Sequence, residues 1–206
     1  MAVTTGNNVG NILELESGMA LVMGALVIEI RVALLLLLVL AAMVFDIRRH
    51  RIPNWLVVSG LLIGLACHIF LANGWGYGYW LKGAAVGFSL FLPLYMLRAM
   101  GAGDVKLMAM VGAFLGPASA LSVVLTTLIA GGVLAMAVAL RRGVVAPMFE
   151  NIRFTLTLAH VKAMSGSGLG IDPLSTTAGR MPYAVAIAAG TFIHVMLARS
   201  GHALVG

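Results

Sequence analysis

The 206 residues include seven acidic ones, and two of these sit where an acid is costly. Asp46 closes one long apolar run and Asp104 opens another. A carboxylate bordering a hydrocarbon-like segment carries a solvation penalty, which makes it a functional candidate by default. Two carboxylates at one depth can also do chemistry that one alone cannot. Like charges a few ångströms apart resist double ionisation, so such a pair shares a proton. The ionised member can then take a proton from water while the protonated member gives one to a carbonyl oxygen. That combination hydrolyses a peptide bond without a metal or a covalent intermediate. The titration belongs to the pair, so neither residue is assigned as acid or base.

The neighbours of each aspartate bear on this reading. Asp104 lies in Gly101-Ala102-Gly103-Asp104-Val105-Lys106-Leu107. Gly101 and Gly103 leave backbone exposed just before a helix start, where an extended substrate strand could approach. Asp104 is also placed to cap that helix, an ordinary role for an aspartate. Asp46 begins the stretch Asp46-Ile47-Arg48-Arg49-His50-Arg51-Ile52-Pro53-Asn54, and alone it could be an interfacial acid paired with Arg49 or His50. Lys106 could lower the affinity of the pair for protons or simply snorkel out of its helix. Arg180 precedes an apolar run, the usual place of a topology-setting cation. His68 and His194 fall inside apolar runs and form no zinc-protease spacing. Cys67, the single cysteine, excludes an internal disulfide framework and a cysteine-based zinc site. No metal or other cofactor is expected.

The elements that must carry these residues are set by composition. Hydrophobic residues make up 61% and charged residues 10% of the chain, and the mean hydropathy is +1.05. A soluble domain is about 45–50% apolar and about 25% charged, so lipid is the expected solvent. The fold class is an all-α integral membrane protein. With about 20 residues needed per crossing, about six spans are expected, at 26–45, 55–71, 81–97, 105–115, 118–140 and 182–198. Residues 1–25 form an N-terminal extension without the basic region of a signal peptide, and 199–206 a C-terminal tail. The long connection at 141–181 carries Met148, Ile152, Leu156, Ala159 and Ala163 at helical spacing, which predicts an interfacial amphipathic helix. The stretch from Gly74 to Tyr79 reads as a loop. Gly60 with Gly64 and Gly83 with Gly87 have the spacing of close helix contacts.

The net charge of +6 is a topology signal rather than a nucleic-acid footprint, because the cations lie between apolar runs. Arg48, Arg49, Arg51, Arg98, Arg141, Arg142, Arg153, Lys162 and Arg180 fall in connections on one side, which places that side in the cytoplasm and both termini outside. Anionic lipid is the expected surface partner, and no nucleic acid is expected.

The stretch from Asp46 to Asn54, an aspartate followed by basic residues and Ile-Pro-Asn, resembles the first active-site motif of the prepilin (type IV leader) peptidases. Gly101 to Leu107 resembles their second, the GxGD motif shared in part with preflagellin peptidases and presenilins. Arg180-Met181-Pro182-Tyr183-Ala184 resembles a further recurring segment. The resemblance implies an inner-membrane aspartic endopeptidase that removes the short basic leader from a prepilin with a single hydrophobic helix, at the cytoplasmic face. It implies Asp46 and Asp104 as catalytic residues and Gly101, Gly103, Lys106, Pro53, Asn54, Arg180 and Pro182 as residues shaping the substrate site. Bifunctional members carry paired cysteines in an added N-terminal region together with N-methyltransferase activity. With Cys67 alone, this chain is more similar to the short peptidases of tight-adherence (Flp-type) pilus systems. Two other classes fit the same acids: a small proton- or ion-coupled transporter, and a non-catalytic subunit of an assembly machine.

Overall fold

Glycine, proline and one strained histidine set where the helices stop. The computed structural model describes residues 5–70, 76–97, 99–143, 153, 157 and 183–201, with backbone alone for 5–18, 20, 21 and 142. Among the described residues the regular structure is entirely helical. No proline interrupts α1, Thr5–Arg49, so it runs unbroken through the boundary expected at residue 25. At 45 residues it is ~67 Å long. It ends where His50 takes a left-handed conformation, φ 48°, and donates its N–H to Asp46 O at 2.8 Å. Pro53 then starts α2, Asn54–Phe70, supplying a fixed φ and a carbonyl that accepts from Leu56 N–H.

Helix α3, Gly76–Met96, begins earlier than the sequence suggests. Gly76 to Tyr79, read above as loop, belong to its first turn, while Gly74 and Trp75 lie outside the described residues. The physical reason is that the aromatic side chains have partners. Trp80 Nε1–H donates to Leu61 O at 3.1 Å, and the Tyr79 ring meets His68 edge-on at 5.9 Å between centroids. Helix α4, Ala102–Leu115, joins α5, Pro117–Arg142, through Gly116 alone. That residue has φ 87°, which glycine tolerates, and its open side is filled by the Tyr79 ring. Pro117 restarts the helix without needing an N–H. The last described helix is α6, Tyr183–Arg199. The amphipathic helix expected around 148–163 lies outside the described residues except for Arg153 and Thr157, which are helical and exposed.

Successive helices run antiparallel, as pairs of touching residues show. Phe45 of α1 meets Trp55 of α2, Gly83 of α3 meets Gly112 of α4, and Gly190 of α6 meets Thr127 of α5. Arg199 at the end of α6 pairs with Glu29 of α1. Helix α4 lies at the centre: Asp104, Val105 and every residue from Leu107 to Phe114 are buried. At 14 residues it rises only ~21 Å, short of the ~30 Å hydrocarbon core of a bilayer.

Glycines let its neighbours come close. Gly60 and Gly64 of α2 face Met110 and Phe114, while Gly83 and Gly87 of α3 lie on the α4 backbone at Gly112 and Met108. Both pairs with close-contact spacing thus act within the bundle.

The outer surface is apolar. Leu37, Leu62, Phe70, Ile129 and Val133 are all exposed by more than 60%, whereas Ser122, Thr126, Thr127, Thr191, His68 and His194 are buried. Two helical segments, Val22–Arg49 and Pro117–Arg141, are long and apolar enough to cross a membrane, and Asn54–Phe70 and Tyr183–Arg199 are shorter apolar helices.

The α3–α4 contact generates a stability prediction. A Cβ on Gly83 would stand 2.1 Å from Gly112 O, and a backbone oxygen cannot rotate away. Gly83→Ala is expected to cost roughly 3 kcal/mol, the upper end of overpacking penalties. Gly78→Ala, which meets nothing within 4 Å, is expected to leave stability unchanged or slightly raised. Thermal unfolding in detergent, followed by helical circular dichroism, compares the two.

Candidate functional site

Asp46 sits in the last turn of α1 and Asp104 in the first turn of α4, and both are buried, at 7% and 8% exposure. A buried carboxylate without a partner would be expensive. Each therefore takes a main-chain N–H. Ala184 N–H, in the first turn of α6, donates to Asp46 Oδ2 at 3.1 Å. Gly101 N–H donates to Asp104 Oδ2 at 3.0 Å. Both bonds fall at helix N-termini, where unsatisfied N–H groups and the helix dipole favour negative charge.

Asp104 does cap α4, but from inside the helix. Gly101 is the N-cap, extended at φ −83° and ψ 156°. Asp104 occupies the third helical position, and its carboxylate reaches back to the N-cap N–H, as in a capping box. Gly101 has no side chain to return the bond, so Asp104 N–H is taken by the Gly101 carbonyl at 3.1 Å. A Cβ on Gly101 would lie 3.4 Å from Asp104 Oδ2, which leaves the carboxylate close to bare backbone. Gly103 has a different use: Ile52, from the α1–α2 connection, packs where its Cβ would be, at 3.3 Å.

The stretch after Asp46 is thus pressed onto the start of α4, and a hydrogen bond joins the two segments again. Lys106 Nζ donates to Asn54 Oδ1 at 3.2 Å on the exposed rim. Lys106 therefore reaches the first residue of α2, an arrangement that neither ordinary reading of it anticipated. Pro53 lies beside this contact as the residue that starts α2. Around the rim Arg48, Arg49, His50 and Arg51 are exposed, with the Arg49 guanidinium 6.0 Å above the Phe45 ring. Among the described residues no group of three His, Cys, Asp or Glu side chains could hold a metal ion.

The start of α6 completes the arrangement. Ala184 is fully buried and its N–H is bonded to Asp46, while the phenol end of the neighbouring Tyr183 rests against α5 at Gly131. The α6 start thus serves Asp46, while Asp104 is served by Gly101 at the start of its own helix. Arg180 and Pro182, expected from sequence to face substrate, lie outside the described residues. Sequence reasoning passed over Ala184 because a main-chain donor leaves no side-chain signature. The available signal was positional: the residues just after a proline at a helix start present free N–H groups.

A profile of the type IV leader peptidase family matches residues 33–136, about half of the chain. That range carries both aspartates, the α1–α2 connection and the glycines before Asp104. A prepilin leader peptidase/N-methyltransferase from Myxococcus xanthus is 34% identical over 131 residues, covering 60% of this chain and 39% of that protein. The chain thus spans about two fifths of that relative's length. No solved structure matches.

The Asp46–Ala184 bond separates two substitutions. Asp46→Ala leaves a buried N–H at the α6 start without its acceptor and is expected to cost about 1 kcal/mol, the usual value of a lost helix cap. Asp46→Asn keeps an oxygen at the same place and is expected to stay within about 0.5 kcal/mol of the parent. Unfolding midpoints of the two variants in one detergent measure the difference.

Proposed function

Since the chain belongs to the type IV leader peptidase family, we propose that it is a membrane aspartic endopeptidase that removes the basic leader of a type IV prepilin. The observation that carries this reading is the burial of Asp46 and Asp104 at two helix ends that are brought together by Ile52 on Gly103 and by the Lys106–Asn54 bond. In the proposed reaction one carboxylate is ionised and takes a proton from water as its oxygen attacks the scissile carbonyl carbon. The protonated partner gives its proton to the carbonyl oxygen, forming a gem-diol. Collapse of that intermediate breaks the C–N bond, with a proton passed to the departing amine. The pair acts as one titrating unit, so the roles stay with the pair.

Orientation supports a cytoplasmic site. Arg48, Arg49, Arg51, Lys106 and Arg141 are exposed and lie on or beside helix ends at the level of Asp46 and Asp104, opposite the Arg199–Glu29 pair. By the positive-inside rule this end faces the cytoplasm of a bacterial inner membrane, with six crossings and both termini outside. The apolar outer faces of α1, α2 and α5 fit a lipid surround. The substrate is a prepilin whose basic leader stays on the cytoplasmic side and whose apolar helix lies in the membrane. A helical segment hides its carbonyls, so the cleaved bond must be extended. Gly101, Gly103, Pro53 and Asn54, with Arg180 and Pro182, are the residues proposed to hold it. Lys106 shapes this site through Asn54.

The reading is of a peptidase without methyl transfer, acting on Flp-type prepilins. Its support is that Cys67 is the chain's single cysteine and is buried in α2. The relative from Myxococcus xanthus carries both activities in its name, and most of that protein lies outside the matched region.

Co-expression with an Flp-type prepilin, scored by the mobility shift of the processed product, tests this function. Asp46→Asn and Asp104→Asn are each expected to reduce cleavage by at least about 100-fold, the scale for removing a general acid or base, at unchanged expression. Processing at the parental rate by either variant would refute the pair, and a proton-dependent ion flux without cleavage would favour a transporter. The purified chain is expected to cleave without passing a labelled methyl group from S-adenosylmethionine to the product.

A further inference from the structure

Asp46 and Asp104 stand on different helices, so their relative placement depends on what ties the end of α1 to the start of α4. The chain between α1 and α2 is short. His50 closes α1 by donating its N–H to Asp46 O at 2.8 Å, and Asn54 is already the first residue of α2. Only residues 50–53 lie outside a helix here, and Pro53 fixes one of their φ angles. This connection and its last neighbour meet α4 twice. Ile52 packs where a Gly103 Cβ would stand, at 3.3 Å, and Lys106 Nζ donates to Asn54 Oδ1 at 3.2 Å. The two contacts bracket Asp104 along α4. Residues two apart on a helix do not face each other, so Lys106 leaves α4 on a different side from Asp104.

We propose that Lys106 is a positioning residue: by holding Asn54 it fixes the α1–α2 connection on α4, and so sets where Asp46 stands relative to Asp104. This rests on the peptidase reading above. The ammonium acts as a donor at one point, not as a charge on the carboxylate pair. Its bond to Asn54 lies on the exposed rim, where solvent and salt screen its charge, while both carboxylates are buried. The connection it holds also needs holding. His50 has φ 48°, a left-handed conformation that a residue with a Cβ adopts at a cost, so an unheld segment would relax. Ile52 alone leaves the segment free to pivot over Gly103, because apolar contact is non-directional. The hydrogen bond at Asn54 adds the direction.

The experiment uses the full chain in proteoliposomes with an Flp-type prepilin and reads kcat per folded molecule. Lys106→Met keeps a long side chain and removes the donor. It is expected to lower kcat roughly tenfold, short of the ~100-fold that an ångström of misplacement can cost, with KM within about twofold of the parent. Lys106→Arg keeps a donor and should lose less. Asn54→Ala should lower kcat to a similar extent. The double variant should fall no further than the worse single one, because each removes the same contact. The acid limb of the kcat–pH profile should stay in place in Lys106→Met. A cation acting on the pair would favour its ionised form, so its loss would move that limb to higher pH. In a Cys67→Ala background, Asn54→Cys with Lys106→Cys should regain part of its lost kcat when a short neutral thiol cross-linker bridges the two positions. Parental turnover by Lys106→Met, a loss confined to KM, or multiplying losses in the double variant overturns the proposal. So does a limb moved to higher pH, or a bridged variant as slow as the unbridged one. A parent that cleaves no prepilin overturns the peptidase reading instead. A bridge between positions 54 and 106, found by mass spectrometry, then shows the joint standing without it.

Discussion

Helix α4 is buried from Leu107 to Phe114 because α2 and α3 approach it through glycine. Gly83 and Gly112 touch backbone to backbone, each standing where the other's Cβ would need to be. Gly87 repeats the approach one turn along at Met108. Within lipid the hydrophobic effect gives helices little reason to associate, so close van der Waals packing of this kind must supply much of the attraction. The consequence reaches the site. Asp104 stands in the first turn of α4, and its depth and orientation follow from where α2 and α3 hold that helix. The shortness of α4 belongs to the same constraint, because Gly116 turns the chain against the Tyr79 ring at the far end.

The polarity of the bundle is inverted relative to a water-soluble one. Large apolar side chains cover the outside, while serines, threonines and histidines lie within. Between α5 and α6 this becomes a polar seam. Thr126 Oγ1 lies at 3.0 Å from the carbonyl oxygens of Ser122, Val123 and Gly190, and Thr191 donates to Ile187 O. Gly190 allows the seam to close, since a Cβ there would collide with the Thr127 backbone. The seam holds α6 against α5, and the α6 start supplies the N–H that Asp46 accepts. Interhelical hydrogen bonding deep in the bundle and the geometry of the site are therefore mechanically linked.

Much of this was legible in the sequence, for identifiable reasons. The helical class followed from apolar run length, and Asp46 and Asp104 stood out because acids at the edge of apolar runs are rare and costly. The close-contact glycines Gly60, Gly64, Gly83 and Gly87 were visible as a spacing. The loop expected over Gly74 to Tyr79 was misread at Gly76 and beyond. Glycine alternating with aromatics looks like a turn until the partners of Trp80 and Tyr79 are known, and those partners lie on other helices. The Lys106–Asn54 bond was hidden for a similar reason. It joins residues 52 positions apart, and no local rule pairs them. Ala184 was hidden more deeply, because its contribution is an amide that every residue but proline possesses.

The two carboxylates differ in how they obtain their donors, and the difference has a physical consequence. Asp104 is served by Gly101, three positions away, so its hydrogen bond forms as soon as the first turn of α4 does. Asp46 is served by Ala184, 138 positions away, so its bond exists only when α6 has docked against α1. Until then Asp46 can keep water at the membrane edge. On docking it exchanges that water for one main-chain N–H and the positive end of a helix. Among the described residues Asp46 accepts from this one main-chain donor, fewer than the several bonds a carboxyl group can take. In the proposed reaction the pair must keep a lone pair open to water, and an Asp46 with unfilled acceptor capacity is compatible with that whichever carboxylate is the base.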